Sequence, residues 1–226
     1  MIVKDEAKVI AKTLESVRVV VDHATILDTG STDGTQDVAR EFCRERALSC
    51  GGPTLGAPWP WLVLCEEPFV GYAASRNRAL EIESQRGGEA DFSLSLSADE
   101  VLCGSDKLRA FLAAYDGPED AFLVEVRTPF GAFHYPRVVN TNSFWQYEGE
   151  IHEELRNQDD PTRRATTLIP DCWIEYAPTD PERHARRLRE RDLPGLLAQY
   201  REATDPEVRA RCAILLAQTR EILAES

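Results

Sequence analysis

The sequence predicts an α/β protein with helices on both faces of a mixed sheet, followed by a short helical appendage. Two observations support this fold class. In the first half of the chain, short apolar segments alternate with amphipathic ones, and from Pro181 onward the pattern is helical and Arg-rich. Strand–helix alternation builds a sheet with right-handed crossovers, so the first half is predicted to be Rossmann-like.

Composition limits the classes of protein. The 226 residues are 42% hydrophobic, enough for one domain and a small appendage. The net charge of −13 makes nucleic acid a poor default partner, because acidic surfaces repel phosphate. No apolar run approaches the ~20 residues of a membrane span. Neither a signal peptide nor a disulfide framework is indicated, so a cytoplasmic protein with free thiols is expected.

Each element of the first half has its own signature. Apolar residues at helical spacing predict a helix over residues 6–18, and Ile2-Val3 is a stub of strand. A buried strand at 24–27 is followed by a polar turn and a helix capped near Ser31–Asp33. The same criteria then predict a loop at 51–60, a strand at 61–65, a helix at 72–84 and a strand at 92–96.

The residue pattern of the second half changes after a predicted helix near 105–115. Four segments rich in aromatic and β-branched residues predict antiparallel strands: AFLVEV, AFHYPRVV, SFWQYE and CWIEYA. Two antiparallel helices are predicted beyond Pro181, joined at Thr204-Asp205-Pro206. Their shared apolar face is expected to comprise Leu188, Leu193, Leu196, Leu197, Ile214, Leu215 and Leu216. Residues 1–180 and 181–226 are therefore predicted to be separate domains.

The turn Asp28–Thr35, with sequence DTGSTDGT, is the first candidate site. It follows a predicted strand and opens a helix. Ligands of open α/β sheets sit at the carboxyl ends of strands, where an Asp can accept from a nucleobase or a ribose. The helix N-terminus beyond it attracts phosphate. The same residue types are equally typical of a capping turn.

Three further polar clusters are weaker. Ser97-Ala98-Asp99-Glu100 ends an apolar strand, where carboxylates suit a divalent cation carrying a diphosphate, or form a solvated turn. Arg76, near a predicted helix start, suits a phosphate clamp or is a surface Arg. His152 next to Glu153 suits a metal ligand beside a general base, or the His is merely hydrogen-bonded in a strand.

The order of these clusters is more informative than any one of them. MIVKDE, LDTGSTDGT, Ser-Arg-Asn, SADE and YEGEIHEEL together resemble the GT-A glycosyltransferases of the large inverting family 2. The resemblance covers roughly residues 1–155, and the stretch RDLPGLLAQY…AILLAQT resembles the TPR-like helical extension of such enzymes. It implies a GT-A fold and inverting transfer of a sugar from a nucleotide-diphosphate sugar, with UDP as the expected nucleotide.

The resemblance also implies a role for each matching residue. Val3, Lys4 and Glu6 would border the nucleoside, Asp28 would bind the base, and Arg76 and Asn77 would face the nucleotide and its phosphates. Asp99 would hold a divalent metal, Mn²⁺ or Mg²⁺, and Ser97 would reach the ribose or the metal through water. His152 would be a further metal ligand, and Glu153 would be the base that activates the acceptor.

The chain departs from the family pattern at two positions. Asp5 replaces the usual Asn, and Ser97 replaces the first Asp of Asp-x-Asp, so weaker metal affinity is expected. Ser97 also favours a second hypothesis: a catalytically silent GT-A module that binds a nucleotide sugar or a protein partner. A nucleotidyltransferase would need a Gly-rich basic loop after the first strand, and the sequence has none there.

The partners are less defined than the donor. The acceptor is expected to be a saccharide, a peptide or protein or, less readily, modified DNA. A local basic patch for such an acceptor would comprise Arg127, Arg137, Arg156, Arg163 and Arg164. The C-terminal helices are also a candidate homodimer surface.

Overall fold

The protein divides into two compact units. The computed structural model describes residues 1–49, 62–85, 91–129, 131–176 and 181–225. Met1–Glu148 and Glu154–Ala177 form the sheet unit, and Gly149–Glu153 with Pro178–Ser226 forms the helical unit. The predicted loop at 51–60 and the first residue of the strand predicted at 61–65 lie outside the described residues.

The sheet unit begins with a parallel three-stranded sheet. Its strands, in spatial order, are β1 (Ile2–Val3), β2 (Ala24–Asp28) and β3 (Leu62–Glu66). Helices α1 (Ile10–Val17) and α2 (Thr35–Ser49) lie between consecutive strands, as parallel pairing requires. The predicted strand–helix alternation is therefore confirmed, including α3 (Tyr72–Ser84) after β3.

The remaining strands form a mixed sheet and a hairpin. They are β4 (Phe92–Leu94), β5 (Glu100–Cys103), β6 (Ala121–Thr128), β7 (Gly131–Asn140), β8 (Trp145–Glu148), β9 (Glu154–Asn157) and β10 (Thr167–Tyr176), with α4 (Ser105–Ala114) after β5. The mixed sheet has the order β4-β7-β6-β10-β5, and β8 pairs with β9. Strands β6 and β10 are parallel, whereas the other pairs are antiparallel.

Strands β5 and β9 were not predicted from the sequence, and β4 is shorter than predicted. Strands β5 and β9 have four residues each, too few to show a period. Their pairing partners define them, as Trp173 of β10 opposite Cys103 shows. The strand predicted at 92–96 ends at Leu94, because the backbone beyond it enters the Ser97–Glu100 turn.

Fully buried apolar side chains form the cores of the mixed sheet and of the parallel sheet. Phe122, Val124 and Ile174 lie in the core of the mixed sheet, and Ile10 with Ile26 lies in that of the parallel sheet. Burying such side chains contributes about 1.5–3 kcal/mol each. The five cysteines among the described residues are free thiols, as expected. No helix in the described part of the chain is long and apolar enough to cross a membrane.

The helical unit consists of α5 (Pro181–Arg187), a π-helical turn (Leu188–Asp192), α6 (Leu193–Glu202) and α7 (Pro206–Glu225). The predicted break before Pro206 is confirmed. Leu196 and Leu216 are buried as expected, but the prediction for Ile214 is wrong, since that side chain is 60% exposed. The buried face of α7 instead follows Cys212, Leu216 and Thr219 at spacings of four and three residues.

Candidate functional site

Two polar segments of the sheet unit are tied together where β1 and β2 end. The carbonyl of Val3 accepts from both the N–H and the hydroxyl of Thr29, at 2.9 and 3.0 Å. Four more hydrogen bonds continue this seam: Asp5 N–H to Ser31 Oγ (2.9 Å), Glu6 N–H to Thr35 Oγ1 (2.8 Å), Ala7 N–H to Asp33 Oδ2 (2.9 Å) and Thr32 N–H to Asp5 Oδ1 (2.8 Å). The structure thus joins the MIVKDE and DTGSTDGT motifs.

Asp28 lies at the centre of this arrangement. It ends β2, and its side chain is fully buried. Oδ1 accepts from the N–H groups of Gly30 and Ser31, at 2.9 and 2.7 Å. Oδ2 is also buried but has no hydrogen-bond partner among the described residues. A buried carboxylate oxygen left unpaired costs roughly 1–3 kcal/mol, so it is a candidate acceptor for a ligand donor.

Asp33 fastens the same turn from the start of α2. Its Oδ1 accepts from the N–H of Thr35 at 3.0 Å and from the Thr35 hydroxyl at 2.5 Å. Burial acts to raise the pKa of Asp33, but these bonds and the one from Ala7 outweigh it and hold the pKa below its usual value. The capping interpretation of this turn is therefore correct for Asp33, while Asp28 keeps a spare acceptor.

The Ser97–Glu100 turn is held differently. Ser97 N–H donates to Glu100 Oε2 at 2.8 Å, and Arg137 donates to Glu100 Oε1 at 2.6 Å. Both side chains of this ion pair are largely buried, at 6% and 15% exposure for Glu100 and Arg137. Burial acts to lower the pKa of Arg137, but the Glu100 carboxylate outweighs it and raises the pKa. Thr13 donates its hydroxyl to the Ala98 carbonyl at 2.5 Å, which ties the turn to α1.

Asp99 is the half-buried residue at the tip of this turn. The described residues contain no group of three or more His, Cys, Asp or Glu side chains that could hold a metal. One carboxylate with a neighbouring hydroxyl nevertheless fits Mg²⁺ or Mn²⁺, because such ions often take one or two protein carboxylates and complete their shell with substrate phosphates and water. Asp99 and Ser97 are the residues that would hold a metal arriving with a diphosphate, and this role stays a prediction.

Asn77 fastens α3 to β8. Its side-chain amide donates to the Tyr147 carbonyl at 2.9 Å, and its side-chain oxygen accepts from the Tyr147 N–H at 2.7 Å. The amide therefore completes the backbone hydrogen bonding of β8. The role in nucleotide binding that the family resemblance implies for Asn77 stays a prediction.

Arg76 lies in a different place from Asp28. Its guanidinium sits 5.4 Å from the centre of the Tyr147 ring and lines a cavity of about 150 Å³. His23 and Thr25, at the amino end of β2, line the same cavity and hydrogen-bond to Glu83. The two ends of β2 are roughly 13 Å apart at 3.3 Å per residue. The structure thus groups Arg76 with the amino end of the sheet, and its contact with a nucleotide stays a prediction.

His152 and Glu153 belong to the helical unit, although sequence reasoning placed them in the first domain. His152 has φ of +53°. Burial lowers the pKa of its imidazole; Asp192 opposes this shift, and Arg211 adds to it. The roles of His152 and Glu153 as metal ligand and base remain predictions.

The expected basic patch has little uncompensated charge. Four of its five arginines form ion pairs with carboxylates: Arg127 with Glu125, Arg137 with Glu100, Arg156 with Glu154 and Arg163 with Asp120. Arg164 donates to backbone carbonyls. A role for these arginines in binding an acceptor stays a prediction.

Sequence comparisons give no match, either to a protein-family model or to a curated protein. Among solved structures, the mannosyltransferase PcManGT from Pyrobaculum calidifontis, in complex with GDP-Man and Mn²⁺, matches with a TM-score of 0.55 and 15% identity. The match covers 99% of this chain and 72% of that one. A mycobacterial protein aligns over 66% of this chain and 55% of its own at a TM-score of 0.38 and 16% identity. The first similarity shows that the chain has a GT-A glycosyltransferase fold.

Proposed function

We propose that the protein transfers a sugar from a nucleotide-diphosphate sugar to an acceptor, with inversion. The observation that carries this proposal is the unpaired, buried Oδ2 of Asp28 where β2 ends, within a GT-A fold. A carboxylate oxygen there accepts a hydrogen bond from a nucleobase N–H or a ribose hydroxyl. Val3, Lys4 and Glu6 lie on the segment that is tied to the same turn, which supports their proposed place beside the nucleoside.

The diphosphate needs positive charge. A divalent metal, when bound, neutralises the leaving diphosphate, and Asp99 with Ser97 would hold it. His152 is the predicted further ligand. PcManGT is described in complex with both GDP-Man and Mn²⁺, which supports a nucleotide sugar and a divalent cation in general. The family resemblance implies UDP as the nucleotide, whereas PcManGT is described with a GDP-sugar. UDP- and GDP-sugars are therefore both candidate donors.

Inversion requires a carboxylate that removes the acceptor proton as the new bond forms. We assign this role to Glu153. Glu100 is a poor alternative, because its carboxylate is already occupied by Arg137 and the Ser97 N–H. Glu153→Gln should keep donor affinity and lose ~10²–10⁴ in kcat, as expected for a general base. Full activity of this variant would move the role to Glu150, whose Gln variant is the matched comparison.

The proposal is tested by donor binding. A thermal-shift panel of UDP-, GDP- and dTDP-sugars, with and without Mn²⁺, should show one nucleotide class that raises the melting temperature. Donor at 100 times its dissociation constant stabilises the folded state by about 2.7 kcal/mol. The shift should shrink in Asp28→Ala and persist in Asp37→Ala, which removes an exposed carboxylate from α2. A chain that no donor stabilises is not a nucleotide-sugar enzyme.

A catalytically silent module is the second candidate. Ser97 in place of a carboxylate, together with the lack of a three-ligand metal group among the described residues, favours it. Such a module would bind donor without hydrolysing it or transferring the sugar at any metal concentration. Turnover of the bound donor distinguishes the two functions.

A further inference from the structure

The segment Gly149–Glu153 connects β8 to β9, yet it is part of the helical unit. It contains His152 and Glu153, two residues to which the proposed function gives chemical roles. Two contacts within the helical unit hold it, and each involves a different helix.

The first contact is with α6 at Gly195. A Cβ atom at this position would lie 2.6 Å from Ile151 Cγ1 and 3.1 Å from Cδ1. Real Cβ atoms essentially never approach other heavy atoms as closely as 2.6 Å, so an added methyl group would displace Ile151. Gly in a helix interior is less favourable than Ala. The absence of a side chain at 195 is therefore explained by the close approach of Ile151.

The second contact is with α7. Arg211 donates from its guanidinium to the backbone carbonyl of His152. His152 has φ of +53°, in the left-handed region that residues other than Gly rarely adopt. Such a conformation is strained and persists where the surroundings fix it. The bond from Arg211 fixes the peptide that joins His152 to Glu153.

We propose that the helical unit positions the catalytic segment, with Gly195 and Arg211 as positioning residues that set the orientation of Glu153 through Ile151 and His152. This inference rests on the proposed function, since it assumes that Glu153 acts on the acceptor. It assigns the C-terminal helices a part in the chemical step rather than in dimer formation or in binding the donor.

A size-compensating pair tests the α6 contact. Gly195→Ala should lower kcat by roughly 10- to 100-fold, because a displacement of about 1 Å costs that much. The KM for donor should stay within about twofold, since positioning acts on the chemical step and not on donor binding. Ile151→Ala removes both clashing atoms, so adding it to Gly195→Ala should restore kcat to the level of Ile151→Ala alone. A double variant as slow as Gly195→Ala would overturn the proposal.

A charge-matched pair tests the α7 contact. Arg211→Gln should lower kcat by roughly tenfold without changing donor affinity, whereas Arg211→Lys should recover part of the loss because it keeps a donor. Arg220→Gln removes the same charge from an exposed position of α7 and is the control. Equal kcat for Arg211→Gln and Arg220→Gln would overturn the proposal.

The failure of this inference is distinguishable from the failure of the proposed function. A wild-type chain that neither binds nor consumes any donor refutes the function itself. An active wild-type chain whose Gly195 and Arg211 variants keep the wild-type kcat refutes the positioning role alone. Melting temperatures of all variants, measured in parallel, identify any loss that comes from unfolding.

Discussion

Two turns of the sheet unit follow strands of the two sheets and differ in how they are held. The turn after β2, Asp28–Thr35, is fixed by many hydrogen bonds between short polar side chains and nearby backbone groups. The Ser97–Glu100 turn after β4 depends largely on one buried ion pair, between Glu100 and Arg137. The first arrangement spreads stabilisation over several neutral or singly charged contacts, and the second concentrates it in two charges.

The two turns also differ in how many oxygens of their buried carboxylates accept hydrogen bonds. In the first turn the hydrogen bonds use one oxygen of Asp28 and leave the other unpaired. In the second turn both oxygens of Glu100 accept hydrogen bonds from within the protein. The two turns thus differ in that one buried carboxylate oxygen of the first has no hydrogen-bond partner among the described residues, whereas both carboxylate oxygens of Glu100 have one.

The largest effect is expected from breaking the buried pair. Arg137→Met leaves the Glu100 carboxylate buried without its partner, which should lower the free energy of unfolding by about 3–5 kcal/mol. Urea denaturation measures it. Arg127→Met breaks a more exposed pair with Glu125 and should cost at most about 1 kcal/mol. Equal stability of the two variants would contradict the claim that the buried Glu100–Arg137 pair holds the second turn.

Asp28→Ala should weaken donor binding by ~1.5–3 kcal/mol, the range for a hydrogen bond to a charged group. Isothermal titration with the donor that stabilises the wild type measures the loss. Asp37→Ala, on the exposed side of α2, should bind donor normally. Unchanged affinity in Asp28→Ala would remove this carboxylate from the site.

Asp33→Ala should destabilise the fold by about 1 kcal/mol at neutral pH, because its bonds are shared among several groups. Since folding lowers the pKa of Asp33, its contribution is present above the unfolded value of 3.8 and is lost as pH falls below it. The difference in stability between wild type and variant should therefore shrink in acid. A difference that grows below pH 4 would contradict the assigned hydrogen bonds.

The smallest effect is expected at Ser97. Ser97→Asp restores the carboxylate of the family motif and should tighten Mn²⁺ binding in the presence of donor by less than about 1 kcal/mol, the Coulomb energy of an exposed pair. Titration of Mn²⁺ against donor-saturated protein measures it, and Asp99→Asn should abolish the binding. Unchanged Mn²⁺ affinity in both variants would exclude this turn from the metal site.

The sequence by itself determined the motifs and most of the elements, β5 and β9 excepted. Helical and strand periodicity predicted α3 over its full length and the alternation through β3, because local spacing reports burial on one face. The polar turn at Asp28 was also predicted from the sequence. Its contacts run to residues within the DTGSTDGT motif or to residues one helical crossover away.

Only the tertiary structure determined which residues distant in sequence these side chains contact. Glu100 meets Arg137 across 37 residues, and His152 meets Arg211 across 59. No local pattern encodes such pairs, because they follow from which strands and helices pack together. For the same reason Ile214 is exposed, and Gly149–Glu153 belongs to the helices and not to the sheet on either side of it in sequence. Periodicity reports which face of an element is apolar, whereas the partner of that face is fixed by the three-dimensional packing of segments distant in sequence.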